Sequence, residues 1–253
     1  MIKRLGKKIA EAAMLLYFFT LSLYWIAHPK RESVIFLPFG NSWLLVRKDG
    51  SKIFLPRTRC KPQPEPYERY FKVKPGETVV DAGACIGEFT VPAAKKAKRV
   101  IAIEAAPENV IWLKKNIEAN GLGNVCIIEK AVWNRKKLLK LHLRESIGKH
   151  SLVPTKRRRE CVKVQADTLD HILFRVGIKK VDFLKMDVEG AEIEALEGAK
   201  RILEVTNKIV IETHVRNARK TTFQVKRFLK TRDFEVRVET RSDTCDMVYA
   251  VKK

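Results

Sequence analysis

Val79-Val80-Asp81-Ala82-Gly83-Ala84-Cys85-Ile86-Gly87-Glu88-Phe89-Thr90 is the stretch that decides the fold. A short apolar, β-branched run ends in an acid, a glycine turn follows, and a helix start comes next. Further on, Val100-Ile101-Ala102-Ile103-Glu104 repeats the apolar run and again ends in an acid. A buried parallel strand, a tight turn and a second strand tipped by a carboxylate form an arrangement that holds nucleoside-containing ligands at strand carboxyl ends.

The spacing separates ligand classes. Dinucleotide sites use Gly-x-Gly-x-x-Gly, whereas this loop reads Asp-x-Gly-x-x-x-Gly. Asp81 at the strand end would repel a pyrophosphate in a poorly solvated cleft. It suits loop amides and, through water, a cationic amino-acid group. Gly83 allows a tight turn, and Gly87 a close helix approach. Glu104 falls about 20 residues after Gly83, where an acid accepts both ribose hydroxyls. Together these features point to S-adenosylmethionine. The candidate contacts are Asp81, Gly83, Ala84, Gly87, Glu104 and Ala105, with Phe89 and Thr90 at the methionine part. Ala131 and Val132 are expected at the adenine, and Asp187 near the transferable methyl. Asn109 reads as a solvated helix position.

The 253 residues suffice for one α/β domain with extensions. Five cysteines, an odd number with no Cys-x-x-Cys pair, exclude a disulfide framework and a zinc site, and suit a reducing cytoplasm. The net charge of +22 attracts anionic partners: nucleic acid, lipid or acidic glycan. Few aromatics interleave the basic runs, which weakens a single-stranded nucleic-acid reading.

Residues 1–30 carry Lys3, Arg4, Lys7 and Lys8 before an uncharged run of 16 residues, Ala12 to Ala27. That is short of the ~20 needed to span a bilayer. A span with its basic end inside would also export the domain away from a cytosolic cofactor. The expectation is a helix lying on a membrane, on a partner subunit or on the chain's own core. Residues 31–66 read as a β-hairpin, with strands at 34–39, 42–46 and 52–55, and a proline-rich connector. From residue 67 a methyltransferase-type domain is expected, an α/β doubly wound, mostly parallel seven-stranded sheet of Rossmann-like form. Its strands are placed at 78–82, 100–104, 125–129, 181–186 and 207–213, and its helices at 88–98, 107–120, 190–204 and 217–231. An antiparallel edge pair follows at 234–240 and 246–252. An insertion holds strands at 139–144 and 161–166, a helix at 168–176 and the basic loop Lys156 to Arg159.

The fourth strand ends in Lys185-Met186-Asp187-Val188-Glu189-Gly190-Ala191-Glu192, and the fifth in Glu212-Thr213-His214. These tips face the same cleft. Asp187, Glu189, Glu212 and His214 are therefore the candidate catalytic groups. His214 titrates nearest neutrality if unperturbed, and clustered carboxylates can raise one another into a useful range. Asp187, Glu189 and Glu212 are also oxygen donors of the kind a hard divalent cation takes, although nothing in the pattern requires a metal. Glu192 has a simpler reading as negative charge at a helix N-terminus. His150-Ser151 reads either as acceptor-pocket lining or as ordinary solvated loop.

Val80 to Gly87, Asn116 to Asn120, Thr168-Leu169-Asp170, the Lys185 to Glu192 block and Glu212 together resemble the FkbM family of S-adenosylmethionine-dependent methyltransferases. The resemblance spans about residues 60–215. Cys85 stands where the family typically has Asn, a mild departure between two small side chains. The resemblance implies methyl transfer, usually to a hydroxyl oxygen of a sugar or polyketide-type acceptor. An RNA methyltransferase is the alternative that the charge suggests, but the fourth strand lacks an Asn-Pro-Pro-aromatic signature. A non-catalytic, membrane-associated binding module is the third reading.

Overall fold

The computed structural model describes residues 34–39, 42–56, 66–144, 147–153, 160–216 and 218–253, with Leu16 and Thr20. The chain divides into two compact units, Met1–Pro64 and Glu65–Lys253. The helix expected in residues 1–30 and the basic loop Lys156 to Arg159 lie outside the described residues, Leu16 and Thr20 apart. In the first unit, β1 (Val34–Phe39), β2 (Ser42–Arg47) and β3 (Lys52–Pro56) form an antiparallel three-stranded sheet. Asp49 accepts the Ser51 amide at 2.9 Å in the turn between β2 and β3, the local bond that makes Asp a turn residue.

The second unit is built on β4 (Thr78–Ala82), β5 (Arg99–Ile103) and β6 (Val125–Ile128), with β7 (Ala131–Val132), β8 (Lys137–His142) and β9 (Cys161–Asp167) following. Then come β10 (Val181–Met186), β11 (Thr206–Arg216), β12 (Arg219–Lys220), β13 (Phe234–Ser242) and β14 (Cys245–Lys252). The main sheet has the order β13-β14-β11-β10-β4-β5-β6, with β12 added to β11. From β6 to β11 neighbours are parallel, and β14 and β13 close the edge antiparallel. This is the doubly wound, mostly parallel sheet expected of a class I methyltransferase. The order reverses between β4 and β10, so the crevice opens at their carboxyl ends. Both faces are covered. Val80, Ile101, Leu184 and Ile209 pack with the helices on one side, and Val79, Val100, Phe183 and Val210 with Phe89 and Tyr249 on the other.

The helices are α1 (Thr90–Ala94), α2 (Pro107–Ala119), α3 (Leu169–Arg175), α4 (Glu192–Glu197), α5 (Lys200–Glu204) and α6 (Thr222–Lys230). Three differ from the sequence reading. The helix expected at 88–98 shortens to α1, because the Lys98 amide leaves to bond the Glu77 carbonyl at 2.9 Å and start β5. The helix expected at 190–204 breaks into α4 and α5 at Gly198, where a Cβ would stand 2.1 Å from the Trp133 carbonyl oxygen. The helix expected from 217 begins at Thr222, because β11 runs on to Arg216 and β12 turns back along it. Arg216 and Lys220 are consequently strand residues, paired with Glu194 and Asp246 respectively. The insertion makes its own sheet, β7-β9-β8, rather than joining the main one.

Candidate functional site

Gly83 is where the two halves of the sheet meet. It has φ +81°, and a Cβ there would lie 1.7 Å from the Asp187 carbonyl oxygen. Only glycine lets the loop after β4 pass the end of β10 this closely. Beside it opens a cavity lined by Gly83, Ala84, Cys85, Phe89, Glu104, Ala105, Ala131, Val132, Asp187 and Glu189. Eight of the sequence-expected cofactor contacts are therefore in one wall. Asp81, Gly87 and Thr90 are not; they stand behind it.

Asp81 is fully buried. It accepts the Thr90 hydroxyl at 2.5 Å and lies 3.0 Å from Lys185 Nζ. Among the described residues it is held by these two side chains and not by the loop amides that the sequence suggested. Lys185 also donates to the Gly83 carbonyl at 2.7 Å. Lys185 was not among the expected site residues. Strand alternation could have found it, since i and i+2 share a face and Asp187 was already placed there.

Glu104 ends β5 in the cavity wall, 8% exposed. Its two oxygens accept the Cys85 and Ala106 amides, each at 2.7 Å. Burial pushes its pKa up to about 7, against the pull of those donors and Asn109. Asn109 itself is 2% exposed and lines the cavity, contrary to the solvated reading. The exposure of a helix position depends on what covers it, and here the insertion does. Cys85 has φ +50°, a left-handed conformation that Asn tolerates better than most residues. The family's Asn at this place thus has a backbone reason, beyond its small size.

At the methyl end, His214 gathers the candidate acids. Its Nδ1 lies 2.9 Å from Glu192 Oε1. Its Nε2 lies 3.8 Å from Asp187, 3.7 Å from Glu189 and 3.9 Å from Glu212. Glu192 is fully buried, and also accepts the Gly190 amide at 2.8 Å and the Thr221 hydroxyl at 2.9 Å. It therefore orients the imidazole. Glu212 and His214 sit behind Asp187 and Glu189, which alone of the four line the cavity.

Tyr67, from a segment far away in the chain, completes the cluster. Its hydroxyl is 2.8 Å from Glu212 Oε2 and 3.1 Å from Asp187 Oδ2. The ring is 2% exposed and stands edge-on to Phe89, with Lys185 Nζ 5.0 Å from its centroid. Nothing in the sequence pattern announces it.

The charges follow from this packing. Burial works against a charged imidazole, but the Glu192 hydrogen bond and the Glu189 and Asp187 charges outweigh it and push His214 up to about 10. Burial and its acidic neighbours raise Glu189 to about 8 despite His214. Burial, helped by the Glu212 charge, also holds Asp187 above the usual carboxylate range, against Lys185, His214 and Tyr67. For Glu212 burial is overcome by the Cys245 thiol, His214, Arg241 and Tyr67, and the group sits below its ordinary value. The condition under which His214 would titrate near neutrality is therefore not met. Asp187, Glu189 and His214 bring one donor atom each within 4.8 Å of one another. A divalent cation would have to displace the imidazole proton to use all three.

A family model described as Methyltransferase FkbM domain matches residues 81–236. The methyltransferase sdnD of Sordaria araneosa is 27% identical over 209 residues, 68% of this chain and 80% of that protein. The probable ribosomal RNA small subunit methyltransferase A of Methanosphaera stadtmanae is 47% identical over 57 residues, which are 22% of this chain and 21% of that protein. The chain thus matches only about a fifth of that relative's length. A solved FkbM methyltransferase from Methylobacillus flagellatus KT superposes with a TM-score of 0.53 at 21% identity, over 72% of this chain and 45% of that one. That likeness is one of fold, and it spans less than half of the solved chain.

Proposed function

The chain belongs to the FkbM methyltransferase family, and from that premise we propose that it transfers the methyl group of S-adenosylmethionine to a hydroxyl oxygen of a sugar, glycan or lipid-linked acceptor. One observation carries the reading: a group suited to take a proton, Asp187, lines the same cavity as the ribose-type carboxylate Glu104. The sulfonium supplies an activated methyl when bound. The protein's part is to position two reactants and to accept the hydroxyl proton.

Glu104, itself held by the Cys85 and Ala106 amides, holds the nucleoside end. Asp187 is the general base, raised above the usual carboxylate range by burial and the Glu212 charge. His214 keeps its proton and acts as a fixed positive charge that stabilises the carboxylates around it. Glu212, tied to Tyr67 and Arg241, stays ionised. Glu189, raised to about 8, is a second proton carrier at the cavity edge. The basic surface is proposed to draw an acceptor that carries negative charge elsewhere.

The test is a tritiated-methyl assay with total RNA in one arm and extracted lipids and glycans in the other. Label is expected in the second arm and to vanish with Asp187→Asn. Label in RNA alone would move the function to the nucleic-acid alternative, and label in neither would favour a binding module. Among the described residues no helix is long and apolar enough to cross a membrane. Peripheral attachment through residues 1–30 in the cytoplasm is a further part of the proposal. Full-length protein is expected to float with anionic vesicles and protein lacking residues 1–30 to remain below; equal behaviour would refute the attachment.

A further inference from the structure

The cavity has a second wall that the strand-tip loops do not supply. Ile147, Gly148 and His150, from the segment between β8 and β9, face the same hollow as Glu104 and Asp187. The segment is fastened on both sides of the cleft. On the nucleoside side, Asn109 Nδ2 donates to the Ile147 carbonyl at 3.0 Å, and His150 Nε2 lies 2.9 Å from Glu108 Oε1. On the methyl side, the Ser151 hydroxyl donates to the Glu189 carbonyl at 2.5 Å.

Asn109 is the joint. The same Nδ2 lies 3.4 Å from Glu104 Oε1, so one amide touches the ribose-type carboxylate and the inserted segment together. Two acceptors on one nitrogen fix which end of the amide points where. That leaves Oδ1 buried with no hydrogen-bond partner among the described residues, in a residue only 2% exposed. A buried acceptor left alone is costly.

We infer that Asn109 is a cofactor-positioning residue, which joins Glu104 to the Ile147–Leu152 segment so that both hold the nucleoside as one unit. The inference rests on the S-adenosylmethionine reading above. It adds a residue and a wall that the strand-tip motif does not contain.

The experiment is calorimetry of the full chain with S-adenosylhomocysteine, paired with hydrogen exchange of the Ile147 to Leu152 amides. Wild-type protein is expected to bind and to gain protection in that segment. Asn109→Ala is expected to bind about tenfold more weakly, the loss of a hydrogen bond to a charged group, and to lose the ligand-dependent protection. A purely structural asparagine would lower the melting temperature of the free protein and leave both readouts alone. Asn109→Leu keeps the shape of the side chain and removes the donor without adding a charge, so it carries the test if the alanine variant does not fold, with the same loss expected. Wild-type affinity in the folded variant, or segment amides indifferent to the ligand, would overturn the inference. Wild-type protein that does not bind S-adenosylhomocysteine would overturn the cofactor reading itself, and this inference with it.

Discussion

Glu104 is expected to set a pH threshold for cofactor binding. Its pKa is pushed by burial up to about 7, and ribose hydroxyls donate to the ionised form. Ligand therefore selects the deprotonated protein, and the apparent Kd grows by the factor 1 + 10 to the power (pKa − pH). That factor is about 1.1 at pH 8, about 2 at pH 7 and about 11 at pH 6. Affinity should thus fall about tenfold, ~1.4 kcal/mol, between pH 8 and pH 6. 5′-Methylthioadenosine is the right probe, because it carries the nucleoside without an amino-acid group that titrates. Calorimetry in two buffers of different ionisation enthalpy should show about half a proton released at pH 7. Glu104→Gln should bind weakly and without pH dependence. The linkage to stability has the opposite sense. A folded value above the unfolded one favours the folded state at low pH, and that contribution is lost as pH rises through about 7. The rise from 4.5 to about 7 is worth on the order of 3 kcal/mol. Free Glu104→Gln should therefore melt above wild type at pH 8, with the advantage shrinking toward pH 5. A flat wild-type affinity from pH 8 to pH 6, or the same slope in Glu104→Gln, would refute the assignment of Glu104 to the ribose.

Three further substitutions probe the scaffold of the site. Lys185→Met strands the buried Asp81 carboxylate and should cost about 3–5 kcal/mol in chemical denaturation; a loss under 1 kcal/mol would contradict the buried pair. Cys85→Asn relieves a left-handed cysteine and should stabilise by about 0.5–1 kcal/mol, a melting-temperature rise of about 1–4 °C; a fall would show that the thiol's own contacts matter more. Tyr67→Phe keeps the ring on Phe89 and removes the hydroxyl from Glu212, at a cost of about 1.5–3 kcal/mol at pH 7. Because Glu212 sits below its ordinary value, that penalty belongs to the ionised group and should shrink as pH falls through its titration. A penalty that stayed the same down to the acid limit of the folded protein, well below the ordinary glutamate range, would dismiss the contact.

The sheet was legible because buried parallel strands leave uninterrupted apolar runs, as at 79–80, 100–103 and 209–211, and because each run ends where the crevice must be. The glycine at 83 was legible for the same reason. What the sequence hid depends on contacts between distant segments. The break at Gly198 answers to the Trp133 carbonyl, a neighbour that no local periodicity reveals. Asn109 occupies a helix position whose exposure is set by the insertion, so its neighbours in sequence suggest solvent while the fold buries it. Tyr67 meets Asp187 and Glu212 only after folding. The four candidate acids and bases, Asp187, Glu189, Glu212 and His214, do come together, yet their protonation was not legible. A histidine held by Glu192 and faced by three other carboxylates keeps its proton well past neutrality, and that follows from packing rather than from residue type.

This inversion of charge constrains the acceptor. The chain as a whole carries +22, but the reacting end of the cavity is ringed by Asp187, Glu189 and Glu212, with His214 between them. With Glu189 raised to about 8 and His214 holding its proton, that end is not uniformly negative, and what it offers an acceptor is a carboxylate free to take a proton. A neutral hydroxyl meets a carboxylate able to take its proton. The proposed function therefore pairs negative groups of the acceptor, held at a distance by the lysines and arginines of the surface, with an uncharged hydroxyl presented to Asp187.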